Sequence, residues 1–163
     1  MKNIGQCFVY GDNVNTDKII PGRYLNLWKP EDLAKYAMEG EDEKFAVNVK
    51  EGDFIIGGKN FGCGSLREQA PIAVKAAGVS AIIAESFGRS FYRNSINICL
   101  PLLECKSISS NVENGDKLEI DSISGKIFNQ TKGETYEAKP MPEFLREILD
   151  KGGLINYLKS KDN

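Results

Sequence analysis

The stretch GGKNFGCGSLREQAP, Gly57 to Pro71, sets Ser65 and Arg67 two residues apart, directly behind Gly62 and Gly64. Glycine is entropically expensive, so a run of them signals a tight backbone path or the close approach of something to the main chain. One reading is local. Ser65 followed by Glu68 has the spacing of a capping box, and the glycines would only turn a strand sharply into a helix. The other reading is chemical. A strand, a glycine-rich loop and a helix N-terminus present free amides and a positive dipole end to an anion. Arg67 adds a two-pronged contact suited to a carboxylate. No Lys-Ser or Lys-Thr follows the last glycine and G-x-G-x-x-G is not met, so a carboxylate fits better than a polyphosphate.

Other catalytic chemistry is limited by composition. The chain has no histidine, which removes imidazole bases and histidine-ligated metals. Cys7, Cys63, Cys99 and Cys105 are dispersed without a C-x-x-C, which disfavours a metal or cluster site built by this chain alone. Catalysis would rest on Ser, Cys, Asp, Glu, Lys, Arg or Tyr, or on a partner.

The elements around the loop alternate in type. QCFVYG, DFIIGG, AIIAES and LPLLEC read as strands. KPEDLAKYAMEG reads as a helix, with Pro30 at its first position and Gly40 as its stop. SLREQAPIAVKAAG predicts a helix from the loop to Gly78, in which Pro71 must cause a kink or cost one backbone bond. FGRSFYRNSIN is a further helix whose Phe87, Phe91, Tyr92 and Ile96 fall on a core face, leaving Arg89, Arg93, Asn94 and Asn97 for a partner surface or a substrate. From residue 116 to 140 the pattern turns to period two with Ser-Gly and Lys-Gly turns, a hairpin or meander. The C-terminal segment is amphipathic and helical, broken at Gly152-Gly153. The expected class is a mixed α/β domain.

At 163 residues the chain suits one domain, expected to span 1–163. It is 41% hydrophobic and 27% charged with net charge −2, and its basic residues are scattered, so no nucleic-acid surface is expected. No apolar stretch approaches the roughly 18 residues of a membrane span, and no signal peptide is read at the N-terminus. The expected setting is cytoplasmic.

Three segments in order, GDNVNTDKIIPGRYL, NFGCGSLREQAP and SFGRSFYRNSINICLPLL, resemble the small subunits of two-subunit dehydratases of the aconitase superfamily. The nearest resemblance is to the 3-isopropylmalate dehydratase type, with homoaconitase and 2,3-dimethylmalate dehydratase as relatives. It covers nearly the whole chain. The resemblance implies a three-layer β/β/α swivelling domain with a mixed sheet, paired with a large subunit that carries a [4Fe-4S] cluster. It also implies reversible dehydration of a small hydroxy-dicarboxylic acid in leucine biosynthesis. The Ser65 position is then the base, acting as alkoxide, and Arg67 binds a substrate carboxylate, with Cys63 and Gly64 beside them. A non-catalytic carboxylate-binding module is the reading from another class.

The threonine and aspartate of NVNTD, Thr16 and Asp17, match a family signature. Asp17 either orients Ser65 or merely satisfies a turn with Asn13 and Asn15. Substrate choice is implied to lie in the segment after RYL, here Asn26, Leu27, Trp28 and Lys29. It carries no arginine for a third carboxylate, and Leu27 and Trp28 suit an alkyl group, each buried methylene yielding roughly 0.8 kcal/mol. Trp28 reads equally as a core residue or as part of the large-subunit interface. Two positions depart from the family pattern: Leu66 replaces a second serine, and Cys99 stands where glycine is common, which reads as a packing change.

Overall fold

The computed structural model describes residues 2–162. Seven strands form one mixed sheet in the order β4-β3-β2-β1-β5-β6-β7. They are β1 (Lys2–Val9), β2 (Phe54–Gly57), β3 (Ala81–Ala84), β4 (Leu102–Glu104), β5 (Lys117–Asp121), β6 (Lys126–Asn129) and β7 (Glu134–Glu137). Strand β1 belongs to both halves. Its first part pairs antiparallel with β5, Lys2 opposite Asp121, and its last part pairs parallel with β2, Cys7 opposite Phe54.

Alternation along the parallel strands creates the layers. Ile55, Ile82 and Leu102 enter one core with Ile19, Leu33, Val74 and Phe91 of the helical side. Their neighbours Phe54, Ile56, Ile83 and Leu103 face the other way and meet Leu118, Ile120 and Ile127 of the antiparallel strands. The sheet thus curls over itself, giving helices, parallel sheet and antiparallel sheet as three layers. This is the expected β/β/α order. The parallel strands are buried on both faces, which is why they read as continuous apolar runs.

The helices are α1 (Thr16–Ile19), α2 (Pro30–Ala34), α3 (Phe45–Asn48), α4 (Gln69–Ala76), α5 (Arg89–Asn97), α6 (Ile108–Asn111), α7 (Glu143–Asp150) and α8 (Leu154–Lys161). Pro30 is the first residue of α2 as expected, but the helix stops at Ala34 rather than near Gly40. The chain turns from there and reaches a left-handed Met38, φ 62°, whose amide bonds back to the Ile19 carbonyl. A single helix to Gly40 would forfeit that tie to α1.

The larger correction is at α4. It begins at Gln69, with Glu68 as N-cap and no side-chain cap, so the capping box of Ser65 and Glu68 does not form. An N-cap carbonyl accepts the first intrahelical bond, and the Ser65 carbonyl is instead taken by the Thr16 hydroxyl at 2.9 Å. Starting late also resolves Pro71. It lies in the first turn of α4, where an amide has no intrahelical partner to lose, so neither the kink nor the lost bond is required.

Candidate functional site

The loops after β1, β2 and β3 gather at the C-terminal edge of the parallel strands, the position at which open α/β sheets hold ligands. Two isolated bridges tie them together, Asn15 with Cys63 and Phe61 with Phe87. Close approach explains two of the glycines. A side chain on Gly62, which has φ 78°, would overlap the Phe91 ring. One on Gly88 would stand 2.6 Å from the Gly62 carbonyl oxygen. These two glycines therefore serve close packing between the loops and α5.

Within this frame the Ser65 loop stands clear. Gly64, Ser65 and Leu66 are exposed. Gly64 has φ 95°. Thr16, itself buried, grips the loop at two points: its amide donates to the Cys63 carbonyl at 2.9 Å and its hydroxyl to the Ser65 carbonyl at 2.9 Å. Neither the Ser65 hydroxyl nor the amides of Gly64, Ser65 and Leu66 donate to another described residue. The electropositive seat expected at a helix start is therefore a free loop ahead of α4, made of open amides and a guanidinium.

That guanidinium belongs to Arg67, whose side chain is only 18% exposed. Its Nη1 donates to Asp17 Oδ1 at 2.8 Å and to the Ile20 carbonyl at 3.0 Å. The Gly22 amide donates to the same Asp17 oxygen at 3.1 Å. Arg67 first, and the Gly22 amide second, hold the Asp17 carboxyl below the usual carboxylate range. Asp17 thus orients Arg67 and forms no hydrogen bond with Ser65, whereas Thr16 is the residue that holds Ser65. Asn15 caps α1 by accepting from the Lys18 amide at 2.9 Å, which fixes both neighbours.

The segment after Tyr24 starts beside this pair and is anchored by the Gln69 side-chain amide, which donates to the Leu25 carbonyl at 3.3 Å. Leu27 packs against the helical core. Asn26 and Trp28 are exposed, Trp28 by 76%, which overturns the reading of Trp28 as a core residue. Two participants carried no sequence signal of their own, the Ile20 carbonyl and the Gln69 side chain, and a third, the Gly22 amide, carried a faint one. Only the glycine after Pro21 hinted at a tight turn there.

Cys99 has φ 62°. Its backbone is left-handed, a conformation glycine adopts freely, and its thiol lies 4.0 Å from the Leu149 carbonyl, so the departure from glycine touches both conformation and packing.

The chain matches the Aconitase C-terminal domain family over residues 23–107. It is 55% identical to the isopropylmalate/citramalate isomerase small subunit of Methanocaldococcus jannaschii over 96% of this chain and 94% of that protein. It is 54% identical to the 3-isopropylmalate dehydratase small subunit of Clostridium botulinum, covering 96% of this chain and 98% of that one. A crystal structure of a Methanocaldococcus jannaschii 3-isopropylmalate dehydratase superposes with a TM-score of 0.94 at 46% identity, covering 99% of this chain and 96% of that chain. Among the described residues no helix is long and apolar enough to cross a membrane.

Proposed function

The chain belongs to the aconitase C-terminal domain family, among the 3-isopropylmalate dehydratase small subunits, and on that premise we propose how it works as half of a hydro-lyase. Together with a large subunit it isomerises 2-isopropylmalate and 3-isopropylmalate by dehydration and rehydration, a step of leucine biosynthesis. Residues 1–163 act as one swivelling domain, and the working place is the cytoplasm.

Dehydration removes a proton from a carbon beside a carboxylate and a hydroxide from the adjacent carbon; rehydration returns both in exchanged positions. Ser65 is the base. Its alkoxide Oγ takes the proton, becomes a hydroxyl, and gives a proton back to the other carbon of the double bond. An alkoxide needs donors aimed at it, and the Gly64, Ser65 and Leu66 amides are free for that purpose. Arg67, with Nη1 committed to Asp17 and Ile20, offers Nη2 and Nε as a fork for a substrate carboxylate. Cys63 and Gly64 supply main chain at its side. Asn26, Leu27 and Trp28 face the alkyl branch. The single observation that supports this reading is an exposed serine on a loop pinned by Thr16, next to a guanidinium pinned by Asp17.

An iron–sulfur cluster is part of aconitase-family chemistry, and the side chains of this chain do not fit one. No group of three or more Cys, Asp or Glu among the described residues is placed to hold a metal. Cys7 and Cys105 lie in the core between the sheets, where burial pushes their thiols up, Cys7 to about 12. We place the [4Fe-4S] cluster on the large subunit, where it would supply a Lewis acid for the substrate hydroxyl.

The test is co-expression with the large subunit, anaerobic cluster reconstitution and assay with isopropylmalate and citramalate, since one relative's name includes the smaller acid. Ser65→Ala should lower kcat about 10²- to 10⁴-fold while association and melting temperature hold. An active Ser65→Ala complex overturns the role of Ser65.

A further inference from the structure

Helix α5 carries a row of polar side chains that the chain itself does not use. Arg89, Arg93 and Asn97 fall four residues apart on one face and are exposed. Every other arginine is engaged: Arg23 by Glu39, Arg67 by Asp17, Arg146 by the Met141 carbonyl. Arg89 and Arg93 form no ion pair or hydrogen bond with any described residue. Their arrangement does nothing for the fold. Like charges four residues apart repel, and Arg89 at the helix N-terminus faces the positive end of the dipole.

The surroundings are concave on each side of this row. Arg89 and Arg93 line an open pocket of about 520 Å³ with Phe87, Tyr92 and Glu104, and Glu104 is already paired with Lys139 at 2.8 Å. On the other side Arg93 and Asn97 border an apolar groove of about 410 Å³ walled by Phe144, Leu145 and Leu154. A third cleft contains Asn94, whose Nδ2 is the buried side-chain nitrogen left without a hydrogen-bond partner among the described residues.

We propose that this face of α5 docks the large subunit, with Arg89 and Arg93 receiving carboxylates and the neighbouring apolar groove taking an apolar side chain. The inference rests on the reading of the chain as a small subunit. Continuity with the Ser65 loop favours that occupant over others. Gly88, which opens α5, packs onto Gly62 and Cys63, so a subunit that closes over Ser65 reaches the first turn of α5 as well. Unpaired arginines beside an apolar groove match an acidic rim around an apolar contact.

The experiment measures association of the purified chain with the reconstituted large subunit, at low and high salt, for wild type and for Arg89→Glu/Arg93→Glu. The variant should bind at least about 30-fold more weakly and lose much of the salt dependence. As a check that does not depend on a folded variant, phenylglyoxal should modify Arg89 and Arg93 in the free wild-type chain and fail to do so in the complex. Unchanged affinity with undiminished modification overturns the proposal. So does protection already present in a self-associated small subunit, which would make the occupant a second copy. A raised KM at saturating large subunit with unchanged association would reassign the pair to substrate. Failure here leaves the Ser65→Ala result untouched, and an active Ser65→Ala complex leaves the docking result untouched.

Discussion

The hydroxyl of Thr16 donates to the carbonyl of Ser65 across 2.9 Å, and the Thr16 amide holds Cys63 two residues earlier. A buried side chain thus sets the height of the Ser65 loop through its backbone and leaves the serine hydroxyl free. Replacing Thr16 by valine keeps the shape and removes the hydroxyl bond. Stability should fall by about 1 kcal/mol. Turnover should fall about tenfold or more, because small misplacements of a reacting group are costly, with KM nearly unchanged. Thr16→Ser should restore most of it. Calorimetry of the chain and kinetics of the assembled enzyme check both.

Asp17 and Arg67 form the second clamp, and their charge state carries a sign. The folded Asp17 carboxyl sits below its ordinary value of 3.8, chiefly through Arg67. Its contribution is therefore present above that value and lost as pH falls through the folded one. The group is exposed, so its effect on stability is small and confined to the acid limb. Asp17→Asn keeps an acceptor for Gly22 but not the charge, and it should flatten that limb in a pH series of thermal melts.

Arg67→Lys removes the fork while keeping the charge. It should raise KM by about 10-fold or more, with a smaller fall in kcat. Equal KM values for the two enzymes in steady-state assays would remove Arg67 from carboxylate binding.

Gly62 and Cys99 both stand at positive φ, and substitution should act in opposite directions at the two. Gly62→Ala drives a methyl into the Phe91 ring, a backbone and packing insult expected to cost about 3 kcal/mol or more. Cys99→Gly relieves a left-handed cysteine and should stabilise the chain by up to about 1 kcal/mol. Urea unfolding of the three proteins gives the order directly.

The sequence by itself determined the alternation of strands and helices, because strands buried on both faces are apolar throughout and the meander alternates with period two. It also determined the candidate chemistry: one serine and one arginine behind paired glycines, with histidine absent and cysteines scattered. Gly40 misled as a helix stop, since a long-range bond from Met38 to Ile19 ends α2 early. Only the tertiary structure decided that Ser65 precedes its helix, because the competitor for its carbonyl, Thr16, lies 49 residues away. The same holds for Asp17, which local sequence allowed to address Ser65 and which the fold delivers to Arg67. Capping and turn signals are local, whereas a hydrogen-bond acceptor goes to whichever donor the packed chain brings within reach.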